Sequence, residues 1–170
     1  MAPFRTVLSG IGKRPVEGTV AVGKLGLAGD EQADLTVHGG LTKAVYAYPV
    51  EHYGYWREQQ QLIGRSPEAL QYGALGENLT ISGLLEQDAY VGDVLRFPDC
   101  VLRVTEPRKP CFKFVAATGD RQAARKMIET RYCGMYLAVD QPGTICAGQT
   151  FDIVPGRRET PLLALFPRSD

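Results

Sequence analysis

The sequence predicts a mainly β domain carrying a few helices, in an antiparallel, β-barrel-like arrangement. Three observations predict it. Nineteen glycines and eleven prolines are spread along 170 residues and cut the chain into short pieces. Several pieces alternate apolar and polar side chains, the two-residue period of a half-buried strand. No repeated strand–helix–strand rhythm appears, which disfavours a doubly wound parallel sheet.

The elements follow in chain order. Residues 19–22 read as strand. This undercuts a phosphate-loop match at Gly18 to Lys24, where Leu25 also replaces the hydroxyl that would meet a metal. Residues 44–48 read as a strand, and Pro49 opens a helix running through His52, Tyr53, Trp56 and Gln60. Leu79 and Ile81 alternate around Thr80, and residues 93–97 form another strand. In residues 100–105, Leu102 and Val104 oppose Val101, Arg103 and Thr105. A short helix follows Pro110, with Cys111 in its first turn and Gly119 just past its end. A third helix follows Asp120 as N-cap. It carries Ala123, Ala124, Met127 and Ile128 on one face, with Arg125 and Glu129 spaced for a solvated pair. Residues 135, 137 and 139 share one strand face, and Phe151 and Ile153 alternate around Asp152. One domain is expected over residues 1–154. A tail, 155–170, docks Leu162 to Phe166 as a last turn or strand.

Composition bounds the function. The length suits a single domain with a real core, and 44% hydrophobic with 22% charged residues argues against disorder. Nineteen basic residues balance nineteen acidic ones, so no general nucleic-acid grip is expected. No run of 18 apolar residues and no signal-peptide core appear, which predicts a cytoplasmic protein without a membrane span. The four cysteines, at 100, 111, 133 and 146, form no C-x-x-C pair and read as reduced thiols. Cys100, Cys133 and Cys146 lie in or beside apolar segments and are expected to fill core. Unclustered thiols exclude an ordinary iron–sulfur site, and two histidines exclude a multi-histidine metal site.

Thr105-Glu-Pro-Arg-Lys-Pro-Cys-Phe-Lys113 is the most informative segment. It sets Cys111 among Arg108, Lys109 and Lys113 at a helix start, where cations and the helix end favour thiolate over thiol. A thiolate suits a soft metal or an electrophile. The bland alternative is a structural cysteine beside a solvated basic loop. Residues 29–43 carry His38, a glycine pair and Lys43, either as a loop for an anionic ligand or as a hairpin turn with a surface histidine. Glu77 and Asn78 present an acid and an amide to a cleft, or simply serve a turn entering a strand. The loop around Lys13 suits phosphate or plain solvation equally well.

Taken in order, several stretches resemble the MOSC domain (the molybdenum-cofactor sulfurase C-terminal type), most closely its 6-hydroxylaminopurine resistance group. They are Gly10-Ile-Gly-Lys-Arg-Pro-Val16, Gly26-Leu-Ala-Gly-Asp-Glu-Gln-Ala-Asp34, His38-Gly-Gly40, Tyr48-Pro-Val-Glu-His-Tyr-Gly-Tyr-Trp56, Gly76-Glu-Asn-Leu79, Gly92-Asp93 and Pro107-Arg-Lys-Pro-Cys-Phe-Lys113. The likeness runs over about residues 9 to 154. It implies a β-barrel-like fold and a pyranopterin molybdenum cofactor, with the Cys111 thiolate on molybdenum. It further implies Lys13, Lys43, Asn78, Arg108 and Lys113 as cofactor-binding residues, and His38 and Glu77 as catalytic residues beside Cys111.

The implied activity is reduction of N-hydroxylated compounds, such as N-hydroxylated purine bases, to amines. The chain has no dinucleotide fingerprint and no iron–sulfur cysteines, so a separate electron-donor reductase is expected. Pyridoxal phosphate is not expected. A non-catalytic cofactor carrier, or a sulfur carrier using a Cys111 persulfide, is the alternative; a cysteine hydrolase with His38 as base is weaker. Two departures stand out. Relatives commonly continue into a helical extension, and Gly148-Gln149 stands where they often have Gly-Asp.

Overall fold

The alternating segments form strands where their period predicts, and the helices they carry cover one face of the resulting sheet. The structure is a computed structural model that describes residues 16–29 and 40–169 and, for residues 6–8, the backbone. Among the described residues the strands are β1 (Thr6–Leu8), β2 (Thr19–Gly23), β3 (Gly26–Leu27), β4 (Val45–Pro49), β5 (Leu79–Ile81), β6 (Val94–Arg96), β7 (Val101–Pro107), β8 (Met135–Gln141), β9 (Gly143–Cys146) and β10 (Asp152–Val154). The helices are α1 (Tyr53–Leu62), α2 (Phe112–Thr118) and α3 (Ala123–Thr130). Seven strands form a curled half-barrel in the order β1-β5-β4-β8-β7-β6-β10, and β3-β2-β9 form a smaller sheet.

The expected antiparallel pairing holds except at β4 and β5, which run parallel. The reason is the connection. Residues 50–78 carry α1, and a helical crossover returns the chain to the same edge in the same direction. β8 also departs from simple alternation, because both its faces are covered. Met135, Leu137 and Val139 enter one apolar cluster with Leu102, Val104 and Ile145. Tyr136 enters a second cluster under the helices, with Tyr46, Tyr48, Trp56 and Phe114.

Local chemistry sets the ends of the helices. Gly119 ends α2 in the left-handed conformation, φ 66°, where glycine carries no Cβ penalty. Asp120 stands two residues ahead of the backbone N-cap of α3, which is Gln122. Its carboxylate accepts from the Gln122 N–H at 2.9 Å and from Lys126 Nζ at 2.5 Å, so it ties the turn rather than capping the helix itself. Arg125 and Glu129 make the expected pair at 2.7 Å. A 3-10 turn, Val50–His52, precedes α1, and the buried His52 lies 2.7 Å from Glu86 Oε2 and stacks on Tyr132 at 3.8 Å. That histidine is structural.

Cys100 and Cys133 are core residues, but Cys146 is half-exposed at the end of β9, where the small sheet runs out of cover. Lys24 donates to the carbonyls of Val139 and Asp140, which confirms that Gly18 to Lys24 is strand and turn rather than a phosphate loop. The tail docks as a 3-10 turn, Leu162–Leu165, with Leu162 and Phe166 buried. Among the described residues no helix is long and apolar enough to cross a membrane.

Gly134 opens β8 with φ +70°, and a Cβ there would meet the Ala47 carbonyl at 2.6 Å and the rings of Tyr46 and Tyr48 at 2.8 and 2.9 Å. Gly134→Ala should therefore destabilise the fold by about 2 kcal/mol or more, from overpacking and backbone strain together. Urea denaturation should show a lower midpoint with an unchanged slope.

Candidate functional site

β7 delivers the site. Its alternation would send Glu106 to the apolar face already occupied by Leu102 and Val104. A register shift against β8 between Val104 and Glu106 re-aims the strand instead, and pairs Glu106 with Tyr136. Thr105 Oγ1 donates to the Thr42 carbonyl at 2.5 Å, which fastens the loop bearing Lys43 beside this bend. Beyond Pro107 the chain turns through Arg108, Lys109 and Pro110 into α2. Cys111 is the N-cap of that helix, in extended conformation (φ −142°), and α2 starts one residue later at Phe112.

An open cleft of about 450 Å³ results. Lys43, Glu106, Pro107, Lys109, Pro110, Cys111, Tyr136 and Leu165 line it. Lys43 Nζ sits 3.1 Å from Glu106 Oε1 and 5.5 Å from the centre of the Tyr136 ring. Cys111 is half-exposed.

Beneath Cys111 lies the buried guanidinium of Arg108, 3% exposed. It donates to the Leu75 carbonyl at 2.6 Å and reaches Cys111 Sγ at 3.8 Å. Its planar group lies over the rings of Tyr46 and Phe114, at 4.7 and 5.5 Å. Partial burial of Cys111 opposes ionisation. The Phe114 N–H, the Arg108 charge and the Lys113 N–H outweigh it, and the thiol lies below its ordinary range. The two core thiols behave oppositely. Burial pushes Cys133 far up, and burial with nearby Asp99 raises Cys100 to about 11.

The predicted residues divide. Cys111 and Lys43 meet in the cleft, and Arg108 supports it from below. Lys113 is half-buried on α2 and is not among the lining residues. Glu77 and Asn78 are buried elsewhere. Glu77 Oε1 accepts from Tyr53 Oη, from Thr80 Oγ1 at 3.0 Å and from the Gly73 N–H at 3.0 Å; burial nonetheless pushes its carboxyl up. Asn78 Oδ1 accepts from the Tyr46 N–H at 2.8 Å, and its own N–H donates to the Tyr46 carbonyl at 2.8 Å. Asn78 thereby fixes the residue whose ring lies against Arg108. Lys13 and His38 lie outside the described residues. Sequence reasoning missed Glu106, Tyr136 and Leu165 as lining residues. Glu106 was inside the segment already singled out, and Tyr136 follows from strand register. Nothing in the sequence signalled Leu165.

Among the described residues the cleft offers one soft donor, the Cys111 sulfur. Among the described residues no three His, Cys, Asp or Glu side chains cluster to hold a metal ion.

The MOSC domain profile matches residues 34–152. The uncharacterised protein YflK of Bacillus subtilis is 37% identical over 150 residues, covering 88% of this chain and 65% of that protein. Protein YiiM of Escherichia coli is 36% identical over 146 residues, covering 86% and 64%. A protein named as a reductase from Gibberella moniliformis is 34% identical over 149 residues, covering 87% and 26%. The crystal structure of Escherichia coli YiiM superposes with a TM-score of 0.78 at 30% identity, over 95% of this chain and 75% of that one. The chain thus spans a little under two thirds of the length of the two bacterial relatives.

Alkylation rates against pH should show Cys111 reacting with a midpoint below that of a free thiol, while Cys100 and Cys133 stay inert near neutrality. Arg108→Gln should move the Cys111 midpoint upward, because it removes the cation that favours thiolate. An unmoved midpoint in a folded variant would show that Arg108 does not tune the thiol.

Proposed function

The chain belongs to the MOSC domain family, and from that premise we propose that it is a molybdenum-cofactor-dependent reductase of N-hydroxylated compounds, N-hydroxylated purine bases among them. The observation that supports this most is Cys111, a half-exposed thiol held toward thiolate on the wall of a cleft. The fit to a pterin-bound molybdenum rests on donor chemistry. One soft sulfur faces the cleft, the flanking Lys43 and Lys109 suit an anionic group, and no competing set of hard ligands stands nearby among the described residues. Cys111 would supply the protein's ligand, and Lys43, with Lys109 beside it, would meet the cofactor's phosphate. When bound, the cofactor supplies two-electron removal of an oxygen atom.

The reaction converts R–NHOH, two electrons and two protons into R–NH2 and water. A separate reductase provides the electrons. The chain's own part is to orient the substrate and deliver protons. Glu106 is the carboxyl on the cleft wall, and Lys43 at 3.1 Å holds it in place. Glu77 is fully buried in a network with Tyr53 and Thr80, and its described contacts tie loop to strand. The reductase-named relative favours the enzymatic reading over a carrier of cofactor or sulfur, which would use the same thiol.

The test is elemental and kinetic. Expressed in a host that makes the cofactor, wild-type protein should carry molybdenum and, with dithionite as electron source, reduce an N-hydroxylated purine. Cys111→Ser should lose most of the metal and the activity with it. Bound cofactor or sulfane sulfur without turnover would instead establish the carrier.

A further inference from the structure

One lining residue of the cleft lies beyond the residues that the family profile matches. The profile ends at residue 152, yet Leu165 contributes to the wall of the cleft that Cys111 lines. It is a large apolar side chain left 46% exposed, in a cleft whose other described lining is two lysines, a carboxylate, two prolines, a tyrosine and the Cys111 thiol. Exposure of that kind is unremarkable for a loose tail. This tail is not loose.

Asp93, fully buried, accepts from the Gly156 N–H at 3.0 Å and from Arg158 Nε and Nη2 at 3.3 Å. Arg158 adopts the left-handed region, φ 56°, a conformation that surrounding contacts must hold in a residue with a Cβ. Val91 donates to the Thr160 carbonyl at 3.0 Å, and Leu162 donates to the Ala89 carbonyl at 2.9 Å. Leu162 itself is 0% exposed in the main core. Arg131 Nη2 donates to the Leu163 carbonyl at 2.9 Å, and Phe166 is buried in the second cluster. Leu165 thus sits between two anchored residues, and its backbone has little freedom to move the side chain away.

We propose that Leu165 is a specificity-determining residue: the anchored C-terminal turn presents it, with Tyr136 and the two prolines, as an apolar wall that selects planar aromatic compounds over small aliphatic ones. The polar groups Lys43 and Glu106 meet such a compound's hydrogen-bonding edge, while Leu165 covers its face. This rests on the reductase reading for its substrate, but the wall is testable without cofactor.

The test compares labelling of Cys111 in the metal-free full chain by N-phenylmaleimide and by N-methylmaleimide, with Cys111 quantified by mass spectrometry. Wild type should favour the phenyl reagent, and Leu165→Ala should cut that preference by about tenfold, the order expected for lost apolar contact in a pocket. Arg158→Ala, which releases the anchor without touching the cleft, should cut it in the same direction by less. In the loaded enzyme, Leu165→Ala should raise KM about tenfold for an N-hydroxylated purine, leave N-hydroxyurea within twofold and leave molybdenum content unchanged. An unaltered maleimide preference, an equal loss for both substrates, or loss of the metal would each overturn the proposal; the last would assign Leu165 to the cofactor's own wall. If wild type shows the labelling preference but no turnover of either N-hydroxy compound, the wall stands and the reductase reading falls.

Discussion

The guanidinium of Arg108 is the constraint on which the site depends. Removing such a cation from water costs several kcal/mol unless its surroundings compensate. Here the compensation comes from a carbonyl at 2.6 Å, two aromatic faces and a thiol sulfur at 3.8 Å. The Tyr46 hydroxyl adds a hydrogen bond, and the thiol, held below its ordinary range, supplies an opposite charge whenever it ionises. The fold and the chemistry are therefore coupled: the protein stabilises its buried cation best when Cys111 is thiolate. Lysine could not substitute. Its compact ammonium lacks the planar face that lies over Tyr46 and Phe114 and the second arm that reaches the sulfur while the first holds Leu75.

That single side chain also joins three parts of the molecule. Arg108 follows β7, Leu75 belongs to the loop before β5, and Phe114 lies on α2. Beneath them, Asn78 clamps Tyr46 through both backbone groups, and the Tyr46 hydroxyl donates to the Cys133 carbonyl at 2.7 Å, which holds the ring under the guanidinium. Of the polar pair Glu77 and Asn78, Asn78 therefore touches the cleft's support through an intermediary. Asn78 acts on Tyr46, Tyr46 on Arg108, and Arg108 on Cys111. A polar residue in a motif can matter for chemistry while never meeting the reactants, provided each link in such a chain is rigidly packed.

Much of this was legible in the sequence, and what was not has identifiable causes. The strands β2, β4, β5, β6, β7, β8 and β10 were read from the sequence, because each has at least one face in a core, while β1, β3 and β9 were not read, and α2 followed from Pro110 and Gly119 bracketing a short apolar run. The cationic setting of Cys111 was legible because its partners lie within three residues. The parallel pairing of β4 and β5 was not, since pairing direction depends on the path of a connection rather than on any residue in the strands. Glu106 was hidden by a bulge: strict alternation assigns it to the core face, and only the shift against β8 turns it to the cleft. Cys146 read as core because its neighbours are apolar, yet a three-stranded sheet cannot cover its own last residue.

Leu165 was beyond sequence reasoning for a deeper reason. Its place is set by Asp93, more than sixty positions earlier in the chain, through two donors whose pairing no periodicity encodes. Burying a carboxylate to restrain a tail is costly unless every oxygen is engaged, and both oxygens of Asp93 are. Such an arrangement fixes the tail more firmly than apolar packing alone, because slipping by one residue would leave a buried charge without its donors. The outcome divides the cleft by origin. The profile-matched residues supply the thiol, the cations, the carboxyl and the start of an apolar wall in Tyr136 and the two prolines, and the tail adds Leu165 to that wall. The reactive groups are held by the sheet and Leu165 by the tail's own anchors, so a change at Leu165 can alter what the cleft admits without moving Cys111.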